Sequence, residues 1–66
     1  MNIILNGKPT QVPAHRTVAE LIEDLDLPGT RVAVAVNRQV VPRGRHANTE
    51  LAEGDRVEVL HAVAGG

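Results

Sequence analysis

The sequence predicts an α+β fold, a mixed sheet of four to five strands with one main helix laid across one face. Three observations carry this. Asn6-Gly7 separates two short strand-like runs, Thr17 opens a segment with helical apolar spacing, and Val32, Val34 and Val36 recur at period two. In 66 residues these elements belong to one domain, since domains usually run from about 50 to 250 residues.

The first run, Met1 to Asn6, places Ile3 and Leu5 on one face. Asn-Gly suits a type I′ hairpin turn, which needs positive φ at both central positions. The returning run, Lys8 to Val12, contains Pro9. Proline has no N–H for a ladder, so this run belongs at a sheet edge. Thr17-Val18-Ala19-Glu20 has the form of a capping box, in which the threonine hydroxyl accepts from the N3 amide and the glutamate reaches back to the threonine amide. Val18, Leu21, Ile22 and Leu25 then follow at i, i+3, i+4 and i+7, with Glu23 and Asp24 on the other side. That stripe is one buried helix face. Pro28-Gly29 ends the helix near Leu25 to Leu27.

Arg31 to Val36 carries valines on one face and Ala33 and Ala35 on the other, the pattern of an interior strand. Asn37-Arg38 turns the chain into a short strand, Gln39 to Val41, stopped by Pro42. Arg43 to Asn48 reads as an irregular loop. Thr49 to Ala52 reads as one helical turn before the Glu53-Gly54-Asp55 turn. Arg56 to His61 is the last strand, with Val57 and Val59 on one face and Leu60 on the other. Residues 62–66 are expected to form a flexible C-terminal tail. The order ββαββ plus one strand, with the helix as a right-handed crossover into a parallel neighbour, is that of an α+β roll of the β-grasp type.

Composition bounds the function. The chain is 42% hydrophobic with no aromatic residue and no cysteine. Its core is therefore aliphatic, and neither a disulfide nor a thiolate zinc site can staple it. The net charge is −1. Nucleic-acid binding wants a basic footprint, and single-strand binders add aromatic platforms, so no nucleic-acid partner is expected. No apolar stretch approaches the roughly 20 residues that span a bilayer, and Met1 to Leu5 lacks a secretory signal's charged and apolar regions. The expectation is a soluble cytoplasmic protein with no membrane partner.

Little in the side chains suggests catalysis. His15, His46 and His61 lie in separate segments without ligand spacing and are expected as surface or loop histidines, and no metal site is expected. Glu50, Glu53, Asp55 and Glu58 form an acidic group, either a solvated face beside a turn or a contact for a basic partner. The end of the chain, Ala64-Gly65-Gly66, stands apart. Two terminal glycines occur by chance in roughly 0.5% of chains, and glycine is costly to order. On this dipeptide alone two readings stand. One is a frayed terminus. The other is a thin arm that threads into a narrow active site and presents the Gly66 carboxylate, with Gly65 and Ala64 inside the passage.

Several segments together carry a resemblance. They are Asn6-Gly7, Thr17-Val18 with Leu21 and Leu25, Val34-Ala35-Val36-Asn37, Val41-Pro42-Arg43, Thr49 with Leu51, Glu53-Gly54-Asp55-Arg56-Val57-Glu58-Val59, and Gly65-Gly66. The chain resembles, over essentially its whole length, the ThiS/MoaD family of ubiquitin-like sulfur carriers, on its thiamine-biosynthesis side. The resemblance implies a carrier, not an enzyme. It implies that a ThiF-type adenylyltransferase uses ATP to form an acyl-adenylate on Gly66. A persulfide donor, such as a cysteine desulfurase, then replaces AMP to leave a thiocarboxylate, and thiazole synthase takes the sulfur. It implies no cofactor in the chain itself, ATP belonging to the partner. Two departures stand out: Arg38 follows Asn37 where relatives often have Gly, so a looser turn is expected, and Ala64 stands where some relatives have Gly.

Alternatives in the same frame are a carrier for molybdopterin or another sulfur-transfer pathway, a conjugated ubiquitin-like modifier, and a plain binding module. Leu60 is further expected to form an exposed apolar docking patch with Val40 or Val41.

Overall fold

The computed structural model describes residues 1–26 and 31–62. Two hairpins, β1 (Asn2–Leu5) with β2 (Lys8–Gln11) and β3 (Arg31–Val36) with β4 (Gln39–Val41), flank a last strand, β5 (Arg56–Ala62). The sheet has five strands in the order β2-β1-β5-β3-β4. The helix α1 (Val18–Leu25) connects the hairpins. This is the β-grasp arrangement.

The first turn forms as its residues require: Asn6 has φ 49° and Gly7 φ 82°. β2 lies at the sheet edge, where Pro9 opposite Ile4 leaves no inner donor missing. The capping box is complete, with Glu20 N donating to Thr17 Oγ1 at 3.1 Å and Thr17 N to Glu20 Oε1 at 2.9 Å. Asp26, left-handed at φ 49°, closes the helix by donating its N–H to the Glu23 carbonyl. Val18 and Leu21 are buried, and Ile22 and Leu25 pack beside them against a core of Ile3, Val12, Val34, Leu51, Val57 and Val59.

Several expectations change. The parallel neighbour of β1 is β5, not the strand after the helix; β3 runs antiparallel to β5 on its other side. The last strand is apolar on its core face and compatible with both hairpins, so it takes the centre. Thr49 to Ala52 is not a helical turn. Thr17 and Glu50 form an antiparallel bridge, in which Thr49 O accepts from Val18 N at 2.9 Å and Leu51 N donates to Arg16 O at 2.8 Å. A helix N-terminus leaves amides without partners, and this extended segment supplies one of the acceptors.

Arg43–Asn48 forms a 3-10 helix, not an irregular loop. It turns His46 inward to 8% exposure, with Nε2 at 3.0 Å from the Val41 carbonyl, so of the two places expected for the histidines, surface or loop, His46 does not take the surface. The Asn37-Arg38 turn is tight: both residues are left-handed, at φ 51° and 68°, and Val36 stays paired with Gln39. Tertiary bonds made by Asn37 hold Arg38 in a conformation that it disfavours alone. Finally, β5 runs through Ala62, which pairs with Arg31, so the segment expected as a tail at 62–66 has its first residue inside the strand.

Candidate functional site

The site is built on β5. Its side chains alternate. Val57 and Val59 point into the core, while Arg56, Glu58 and Leu60 occupy the opposite, exposed face. Cross-strand register extends that face, since directly opposed residues share a side of the sheet: Leu60 lies opposite Ala33, Glu58 opposite Ala35, and Ala35 opposite Val40. Leu60 and Val40 are 72% and 76% exposed. A shallow depression between them is lined by Ala33, Ala35 and Glu58. These two large aliphatic side chains lie open to solvent on the sheet face opposite the core.

Of the two valines expected beside Leu60, Val40 shares its exposed face and Val41 does not. Val41 lies opposite Val34, and Val34 opposite Val59, which puts Val41 on the core side and half-buried. Ala64, Gly65 and Gly66 lie outside the described residues. The strand that leads to them is central to the sheet and held on both sides at its start. Ile4 N donates to Asp55 O and Asn6 N to Val57 O, each at 2.9 Å, and Asn37 N donates to Arg56 O at 2.7 Å.

The acidic group separates in three dimensions. Glu50 Oε1 lies 2.9 Å from His15 Nδ1. Glu53 Oε1 accepts from Asn2 N at 3.0 Å. Asp55 accepts from Ala52 N at 2.8 Å and from Asn37 Nδ2 at 3.0 Å. These three shape local structure, and Glu58 alone of the four joins the exposed face of Leu60. Among the described residues no cluster of His, Asp and Glu is placed to hold a metal, and no helix is long and apolar enough to cross a membrane.

Two residues that matter here, Asn6 and Asn37, are legible in sequence only as turn formers. Their carboxamides reach β5: Asn37 Oδ1 accepts from Arg56 N at 3.0 Å, and Asn6 Oδ1 from Val59 N at 2.9 Å.

A five-stranded β-grasp sheet with its last strand at the centre, one helix across its core face and an exposed aliphatic patch on the other, defines a protein of the ubiquitin-like fold class. The family model described as ThiS family matches residues 3–66. The sulfur carrier protein ThiS of Escherichia coli is 38% identical over 66 residues, covering 100% of both chains. The crystal structure of the thiamine biosynthesis protein ThiS from Geobacter metallireducens superposes with a TM-score of 0.81 at 35% identity, again over 100% of both chains. A thiazole synthase of Magnetococcus marinus is 39% identical over 66 residues, which are 100% of this chain and 20% of that protein. The chain belongs to the ThiS family.

Proposed function

We propose that this chain is the sulfur carrier of thiamine biosynthesis and that its chemistry takes place on the carboxylate of Gly66. The observation that supports this most is the end-to-end match to a sulfur carrier protein ThiS, 100% of both chains. The chain supplies no catalytic side chain in this reading. A terminal carboxylate is ionised at neutral pH and is a poor acyl electrophile until it is activated. An adenylyltransferase of the ThiF type does this by transferring AMP from ATP to a Gly66 oxygen, with pyrophosphate leaving. The terminal sulfur of a persulfide donor, such as a cysteine desulfurase, then displaces AMP to form an acyl disulfide, and a second thiol cleaves its S–S bond, releasing the thiocarboxylate and leaving a disulfide on the donor side. Ala64 and Gly65 give the arm too little bulk to obstruct a narrow passage.

Thiazole synthase is the acceptor in this reading. Support comes from the thiazole synthases of which a segment, 20% of their length, matches this whole chain. A carrier-like segment joined to an acceptor enzyme is what two proteins of consecutive steps would give when encoded together. The exposed face around Leu60 and Val40 docks on the partners while the arm enters their sites. Carriage requires neither a metal nor a cofactor in this chain, and the protein works in the cytoplasm, where ATP and reducing thiols are at hand.

The test is the fate of Gly66. The chain is incubated with ATP, the adenylyltransferase and a sulfur donor, and the intact protein is weighed. Exchange of one oxygen for sulfur is expected. A covalent adduct to another protein would instead make it a modifier, and no change under conditions that load another ThiS would leave a binding module. A residue added after Gly66 abolishes loading, because it moves the reacting carboxylate out of register.

A further inference from the structure

The side chain of Asn6 does more than turn the first hairpin. β1 and β5 pair in parallel only at Ile4 with Arg56 and Leu5 with Val57; the chain then leaves β5 to form the turn. Among the described residues no strand lies beside 58–62 on that side of β5, whereas on the other side β3 pairs with it through Ala62. Asn6 fills the first vacant place. Its Oδ1 accepts from Val59 N at 2.9 Å and its Nδ2 donates to Val59 O at 3.3 Å. A carboxamide has the same C=O and N–H as a peptide group, so Asn6 continues the sheet for one more residue without a strand.

The choice of residue supports this. Asn, Asp and Gly all satisfy the first position of a type I′ turn. Only Asn can also accept from Val59 N–H and donate to Val59 C=O at once. We propose that Asn6 is a positioning residue for the carrier arm: it clamps Val59 and so fixes the course of β5, the strand that precedes the arm. This rests on the reading of Gly66 as the reacting group. Attack of the carboxylate on the α-phosphate of ATP, like the acyl transfer that follows, depends on near-attack geometry, and small misplacements of the reacting atom are costly. Docking through Leu60 and Val40 governs how tightly the partner binds, while the Asn6 clamp governs where the carboxylate arrives.

The experiment uses the full chain with Asn6→Gly, which keeps the positive φ of the turn and deletes the carboxamide, and Asn6→Asp, which keeps the acceptor for Val59 N–H and loses the donor. Amide exchange of the free proteins is read at Val59. It is expected to speed up at least tenfold in Asn6→Gly and to be partly restored in Asn6→Asp. In adenylylation assays, kcat for Asn6→Gly is expected to fall about tenfold while KM for the carrier stays within about twofold. Unchanged Val59 exchange would remove the clamp outright. Faster exchange with kcat unaltered, or with only KM raised, would confine Asn6 to a structural role and overturn the proposal. If the wild-type chain is not adenylylated at all, the carrier reading and the arm-positioning role fall together, and the exchange data still decide whether the clamp exists.

Discussion

Asn37 Nδ2 donates to Asp55 Oδ1 at 3.0 Å, which ties the turn between β3 and β4 to the turn that launches β5. The same side chain accepts from Arg56 N through Oδ1, and its own N–H reaches Arg56 O. These bonds hold Asn37 and Arg38 left-handed. Asn37→Gly keeps the backbone conformation and removes the side-chain bonds; it is expected to destabilise by about 1–2 kcal/mol in urea unfolding. Arg38→Gly relieves a left-handed non-glycine residue at φ 68° and is expected to raise stability by up to about 1 kcal/mol. Equal stability of both variants would show that the turn is indifferent to these contacts.

Leu21 is 2% exposed at the centre of the helix–sheet contact. Leu21→Ala opens a cavity and is expected to cost roughly 2–5 kcal/mol. Total stability for a chain of this length is roughly 3–10 kcal/mol, and no staple compensates. A thermal unfolding curve should show the midpoint falling by well over ten degrees; a shift of only a few degrees would mean that the aliphatic core closes around the lost side chain.

The capping box gives an acid dependence. Hydrogen bonding to the Thr17 backbone, with a further bond to its side chain and the nearby Arg16 charge, holds the Glu20 carboxyl below its ordinary value. A lowered folded-state pKa means that the stabilisation is complete above the unfolded value, about 4.3 for glutamate, and is lost as pH falls through the lower folded one. Glu20→Gln, which keeps the shape without the charge, should therefore be less stable than the wild type at pH 7. That gap should narrow in acid, as measured by urea midpoints from pH 7 to pH 3. A gap constant over that range would exclude a role for the charge.

Leu60→Asp places a charge at the centre of the exposed face. Because Leu60 is 72% exposed, stability is expected to change by no more than about 0.5 kcal/mol. The KM for the carrier with the adenylyltransferase is expected to rise about tenfold, as for a residue central to an interface. A folded variant that is adenylylated normally would exclude this face from docking.

Sequence signals that act over a few residues translated directly into structure. The Asn6-Gly7 turn, the Thr17–Glu20 capping box, the apolar stripe from Val18 to Leu25 and the edge placement of Pro9 each depend on contacts within a turn or two, or on the lack of one N–H. The alternation in β5 likewise separated Leu60 from Val57 and Val59. Less local features were not legible. Thr49 to Ala52 has helical composition, but the amide of Val18 and the carbonyl of Arg16 draw it into an extended bridge. His46 reads as a surface or loop residue, and its burial appears only when the 3-10 helix folds it onto the carbonyl of Val41. Val40 and Val41 could be told apart only once the β3–β4 register was known, because a shift of one residue exchanges the faces of a strand.

By itself the sequence determined the two hairpins, the main helix and the last strand, the aliphatic core and the glycine pair to which function is assigned, since these follow from residue type and short spacing. Only the tertiary structure decided that β5 lies between two hairpins and that Asn6 reaches Val59, 53 positions away. Such pairings depend on which strand offers an apolar core face and a free row of backbone groups to its neighbours. That condition is met jointly by distant segments and written in none of them alone.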